Sequence, residues 1–253
     1  MAEEKHIKKE FILNSTKFLF SNIILNFFTV IQGLVVANLL GPTLFGLKNA
    51  IQIVSDYGGY AHLGSLTNFT KKRQIYEFSN LKKRDYFTNL TFTFLFLISI
   101  VSIIGCLIAF FVLPYSLSTR LSVLIIGFLI PVYLYYTFLN IILQSKSDFK
   151  TISKSNILQG IVVLLLVIIF VNLYGVQGFF LGTLLGLIIV LLYQFFFVKF
   201  NLKLIFDFKA FILLIRNGFG FLLLSMIYFA IFSINRIFMV YGRMLGGVGL
   251  QKD

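Results

Sequence analysis

The chain has 253 residues, 58% hydrophobic and only 12% charged, and its mean hydropathy of +0.94 lies above that of soluble domains. A formal net charge of +13 would fit nucleic-acid binding, but the basic residues gather in short segments between apolar runs, as orientation in a bilayer requires, so no nucleic-acid partner is expected. One cysteine, Cys106, and two distant histidines, His6 and His62, rule out a disulfide framework and a local metal motif, and no cofactor is expected.

Apolar runs of roughly 20 residues, each about long enough to cross the hydrocarbon core, predict an all-α, polytopic membrane helix bundle of about seven transmembrane helices. The alternation of a membrane barrel is absent. The predicted spans are 13–40, 46–68, 87–113, 121–143, 156–174, 177–198 and 211–242. The opening MAEEKHIKKEF reads as the start of a retained first helix, because no small-residue cleavage site follows and the apolar run continues to Leu40.

The first helix carries Asn22, Asn26, Thr29 and Gly33 at i, i+4, i+7 and i+11, a polar stripe on one face. Such amides either hydrogen-bond between helices or line a path. The stretch GPTLFG turns the chain into a second span with Asn49, Gln52, Ser55, Asp56, Gly59 and Tyr60 at spacings of three and four, a face expected to line a wet cavity. Asp56 lacks an obvious sequence-local partner, so it is expected to meet a buried cation or the path of a substrate or ion. The basic stretch KKRQIYEFSNLKKRDY, Lys71 to Tyr86, reads as a solvated loop attracted to anionic lipid headgroups.

Later connections are short: LPYSLST after the third helix and YGVQG after the fifth, which make the neighbouring helices antiparallel hairpins. Gly182 and Gly186, in GTLLG, have the spacing that lets helices approach closely. In the seventh span Ser225, Tyr228, Phe232, Asn235 and Arg236 share a face, and Arg236 either grips phosphate or snorkels to a headgroup region. With the N-terminus in the cytoplasm, most of the 22 basic residues fall on the inner side, from Lys5, Lys8 and Lys9 through Lys71–Arg84 and Lys146–Lys154 to Lys199–Arg216. The outer connections before the seventh helix keep only Lys48 and Arg120, and they hold no Asp, Glu or His for an enzyme's acid–base work.

Together, ANLLGPTLFGL after the first helix, the polar second helix, the basic second loop and a seventh helix reading SINRIFMVYGRMLGGVGL resemble bacterial polysaccharide exporters. These are the O-antigen-type lipid-linked oligosaccharide flippases of the multidrug, oligosaccharidyl-lipid and polysaccharide exporter superfamily. The resemblance implies that 1–210 form the first six-helix bundle and that 211–253 open a second, truncated one. An echo of LLGPTLFGLK in MLGGVGLQK is consistent with that repeat. The family often has Asp-Arg where this chain has Asn235-Arg236, which puts a charge-pairing role there in question. The chain also stops where the family continues, and truncation or a frameshift is expected.

The resemblance further implies a multi-pass protein of the bacterial cytoplasmic (inner) membrane that is not an enzyme. Its substrate would be an undecaprenyl diphosphate-linked oligosaccharide for surface polysaccharide or O-antigen synthesis, flipped by alternating access. Asn22, Asn26, Gln52, Tyr60 and Asn235 would bond to sugars and Arg236 would hold phosphate, with membrane lipids around the tail. One bundle cannot rock alone, so a second half-chain, a homodimer or polysaccharide assembly proteins are the expected partners. The alternative readings are a cation-coupled small-molecule exporter of the same superfamily, with Asp56 as the ion site, and a non-transporting remnant or assembly protein.

Overall fold

A computed structural model describes the backbone of residues 2–198 and 203–248 and the side chains of residues 15–198 and 203–231. Among these residues the chain is almost entirely helical and has no strand: α1 (Ala2–Gly58), α2 (Ser65–Ser79), α3 (Leu81–Val112), α4 (Leu117–Ser145), α5 (Phe149–Phe197) and α6 (Phe208–Val248).

At 1.5 Å per residue, α1 and α5 would each be more than about 70 Å long if straight, over twice the hydrocarbon thickness. Each is broken once, at a glycine in a left-handed conformation that a side chain would resist: Gly41 (φ 68°) and Gly175 (φ 60°). Pro42 follows the first break, where its missing N–H is no loss at the start of a new helical limb.

Residue contacts establish the direction of every pass. The two limbs of α5 run antiparallel in close contact: a Cβ on Gly182 would lie 2.8 Å from Val167 Cα, and one on Gly186 would lie 2.6 Å from Val163 Cγ2. The GTLLG spacing therefore does allow backbones to meet. The first limb of α1 runs parallel to the first limb of α5, with Phe18 against Phe149, Asn22 against Asn156 and Phe28 filling the space left by Gly160. Beyond Gly41 the chain reverses and follows α4, with Gly58 against Ile130, Phe69 stacked on Phe138 and Arg73 against Ser145. α3 opposes α4 through Phe92–Phe138 and Cys106–Gly127. α6 opposes α2, Asn68 Nδ2 donating to the Leu214 carbonyl at 3.1 Å.

Seven alternating passes result among the described residues, as the sequence predicts. Phe69, Leu95, Ile126, Leu134, Phe138 and Ile142 fill the core, while Phe20, Val101, Phe111 and Phe196 point outward. Five of the described helices are long and apolar enough to cross a membrane, two of them double-length, so this is a multi-pass membrane protein.

Two expectations are corrected. The second pass is not continuous over 46–68: the helix stops at Gly58, residues 59–64 form a turn with Leu63 (φ 48°) and Gly64 (φ 84°) left-handed, and α2 begins at Ser65. Adjacent Gly58 and Gly59 are poor helix formers, and Gly58 packs so closely on the Ile130 side chain that a Cβ there would require Ile130 to move. The stretch from Lys71 to Tyr86 is largely exposed, as expected, but it is not a loop. It is the end of α2, one joint residue, Asn80, and the start of α3, Asn80 Oδ1 capping α3 by accepting from Lys83 N–H.

Candidate functional site

The basic end of the bundle contains a sealed ionic cluster. Arg73, 3% exposed, donates from Nε to Ser145 Oγ at 2.9 Å and from Nη1 to Thr88 Oγ1, and pairs through Nη2 with Glu77 Oε2 at 3.1 Å. Arg84 reaches the other Glu77 oxygen at 3.5 Å. Burial draws the Arg73 guanidinium below its usual range, while Glu77 pulls the other way. Three helices thus surround a buried cation, and Arg73 and Glu77 turn inward from a stretch whose other charged residues stay at the surface.

One turn towards the middle of the bundle the same helix meets a cavity of about 550 Å³. α1 contributes Asn22, the joint contributes His62, α2 contributes Thr67, Thr70 and Lys71, α4 contributes Thr137, Asn140 and Gln144, and α5 contributes Asn156. Asn156 organises one wall: its Nδ2 donates to Asn22 Oδ1 at 2.8 Å and to Ser21 Oγ at 3.3 Å, and its Oδ1 accepts from Tyr136 OH at 3.3 Å. Behind another wall, Gln194 Nε2 donates to Asn140 Oδ1 at 3.0 Å and to Ser155 Oγ at 2.7 Å. Lys71 Nζ lies 3.5 Å from the centre of the Phe221 ring of α6. The lining mixes apolar side chains, Phe18, Leu25, Leu66, Ile141 and Ile152, with amide, hydroxyl, imidazole and ammonium groups, and it has no carboxylate. Such a surface hydrogen-bonds hydroxyls and balances negative charge.

Of the sequence-predicted site residues whose side chains are described, Asn22 alone lines this cavity. Asn26, one turn further along the same face of α1, is exposed and lies outside the cavity lining. Asp56 has the local partner that the sequence reading missed, Gln52 Nε2 donating to its Oδ1 at 3.0 Å from one turn earlier. Both lie apart from the cavity lining. Tyr60 falls in the turn after α1 and packs with Tyr57 on Phe229, their ring centres 5.9 and 5.2 Å away. The side chains of Asn235 and Arg236 lie outside the described residues. Sequence reasoning missed the α4 wall, although Thr137, Asn140 and Gln144 at i, i+3 and i+7 form a stripe of the kind recognised on α1.

The fold is similar to that of solved MATE structures. A crystal structure of MATE in the straight conformation matches with a TM-score of 0.70 at 17% identity, covering 92% of this chain and 56% of that one. MATE in the bent conformation gives 0.66 at 16% identity with the same coverage. An outward-facing multidrug resistance MATE family transporter of the MOP superfamily gives 0.60 at 18%, covering 81% of this chain and 48% of that one. At these identities the likeness is one of fold, and the chain spans about half the length of the structures it matches. No protein-family model matches the sequence, and no curated protein matches it either.

Proposed function

We propose that this chain supplies one bundle of a membrane transporter that exports a solute by alternating access. The observation that carries the reading is the cavity of about 550 Å³, apolar with a set of convergent polar groups, in a bundle with apolar outer faces, a size within the usual range for small-molecule sites. Its fold likeness to a multidrug resistance transporter favours a cation-coupled small-molecule exporter, with Asp56, held by Gln52, as a carboxylate for the coupling ion. The second bundle would come from another chain, a second copy or a further segment, rocking against this one.

One observation favours a second reading, flipping of an undecaprenyl diphosphate-linked oligosaccharide in the cytoplasmic membrane. The cavity lining has amides, hydroxyls and Lys71 but no acid, which suits sugar hydroxyls and phosphate better than a cationic drug. Arg236 and Asn235 would extend that surface along α6, and the basic segments at one end would lie in the cytoplasm.

Proteoliposomes containing the protein separate the two. Ethidium efflux that follows an imposed proton or sodium gradient and ignores added undecaprenyl diphosphate supports the exporter. Saturable binding of undecaprenyl diphosphate without dye movement supports the flippase. If neither dye nor lipid responds, both assignments are rejected.

A further inference from the structure

His62 sits at the broken joint of the second pass and on the wall of the cavity. Its Nδ1 accepts a hydrogen bond from Gly64 N–H at 3.0 Å, and its carbonyl accepts from Ser65 N–H at 2.8 Å. A ring nitrogen that accepts a backbone N–H has its lone pair free and carries no proton, so the resting imidazole is neutral with its hydrogen on Nε2. An imidazolium has hydrogens on both nitrogens. It cannot accept that bond, so a proton on Nδ1 and the closed turn exclude each other.

The turn is coupled to the rest of the bundle. Leu63 is held at φ 48° although it is not glycine, and Gly64 follows at φ 84°. Gly64 presses on Gly218 of α6 so closely that a side chain on either residue would strike the other's backbone. One turn further on, Asn68 ties α2 to the Leu214 carbonyl of the same helix. Opening the joint would therefore release α6 from the first bundle's broken pass.

On the reading of this chain as part of an ion-coupled transporter, we infer that His62 is a proton site that operates this joint: protonation breaks the bond to Gly64 N–H, opens the turn between α1 and α2 and loosens α6. Other titratable groups surround it. Lys71 of α2 and Tyr136 of α4 line the same cavity, and Asp56, Tyr57 and Tyr60 immediately precede it along the chain. α6 carries Arg216 and Tyr228 beside its contacts at Gly218 and Phe229, while α5 and the first limb of α1 offer the uncharged Asn156 and Asn22.

The test uses the full chain in nanodiscs, with ring-¹⁵N-labelled histidine, from about pH 8 to about pH 3, a range that extends well below ordinary imidazole titration. A His6→Gln variant assigns the two histidine signals. Hydrogen exchange of the 60–70 segment, corrected for intrinsic pH dependence, is read in parallel. The expected result is an Nε2–H tautomer at high pH and exchange that quickens about fivefold as the ring protonates, the order of one lost hydrogen bond. In His62→Asn the side-chain oxygen accepts the same amide two residues on without titrating, so the segment stays protected at every pH. In His62→Ala it is unprotected at every pH. An Nδ1–H tautomer, a ring that never titrates, titration without a change in exchange, or a pH response surviving in His62→Asn overturns the proposal. No readout here depends on transport, so failure to move dye or lipid rejects the transporter reading and leaves the joint to be judged on these spectra.

Discussion

Helix α2 carries two polar surfaces within 15 residues, and the fold treats them in opposite ways. Towards its C-terminus Arg73 and Glu77 are nearly inaccessible, each bonded to groups from neighbouring helices. One turn earlier Thr67, Thr70 and Lys71 look into open space beside Asn140, Gln144 and Asn156. Charge that is fully answered inside the protein holds helices together. Polar groups left facing a cavity remain available to a solute.

The sharpest way to break this contrast is Arg73→Ala. It leaves Glu77 buried with the longer contact to Arg84 and the hydrogen bond from Ser145 Oγ at 3.1 Å, and a loss of about 3 kcal/mol is expected for a buried charge deprived of its main partner. Thermal unfolding in detergent checks it, and an unchanged midpoint would mean that the cluster is not holding the basic end together. Asn156→Ala probes the boundary between the two regimes, because this residue bonds to Ser21, Asn22 and Tyr136 and also lines the cavity. A cost of about 1–3 kcal/mol is expected. The same melts, with and without the ligand found by the proteoliposome assays, show whether the cavity wall moves with it.

The smallest stability effect belongs to Lys71→Gln. It loses only the contact with the Phe221 ring, about 0.5–1 kcal/mol at an exposed site. If the ligand is a phosphate, its affinity nevertheless falls about tenfold or more, because the variant removes a charge-assisted bond. Affinity that is unchanged for undecaprenyl diphosphate would take Lys71 out of the binding surface.

How much of this was legible beforehand differs from residue to residue. Gly41-Pro42 and the YGVQG turn announced the two reversals, because glycine and proline act through their own backbone. Gly182 and Gly186 announced a close-packed hairpin for the same local reason. The Gln52–Asp56 bond was present as an i, i+4 pair and was overlooked. The cavity was half visible, in Asn22 on α1 and in the unrecognised stripe on α4. Arg73 could not be placed, since its partners Thr88 and Ser145 stand 15 and 72 residues away.

Composition and periodicity settled that this chain inhabits a bilayer, roughly where it crosses, and at which glycines it turns back. Those features follow from hydrocarbon thickness and backbone sterics, which act on neighbouring residues. Which polar groups are sealed and which stay open depended on where seven passes came to rest against each other. Lysine, arginine and asparagine carry the same hydrogen-bonding appetite wherever they occur. Whether it is met is a matter of what the opposite helix brings within about 3 Å.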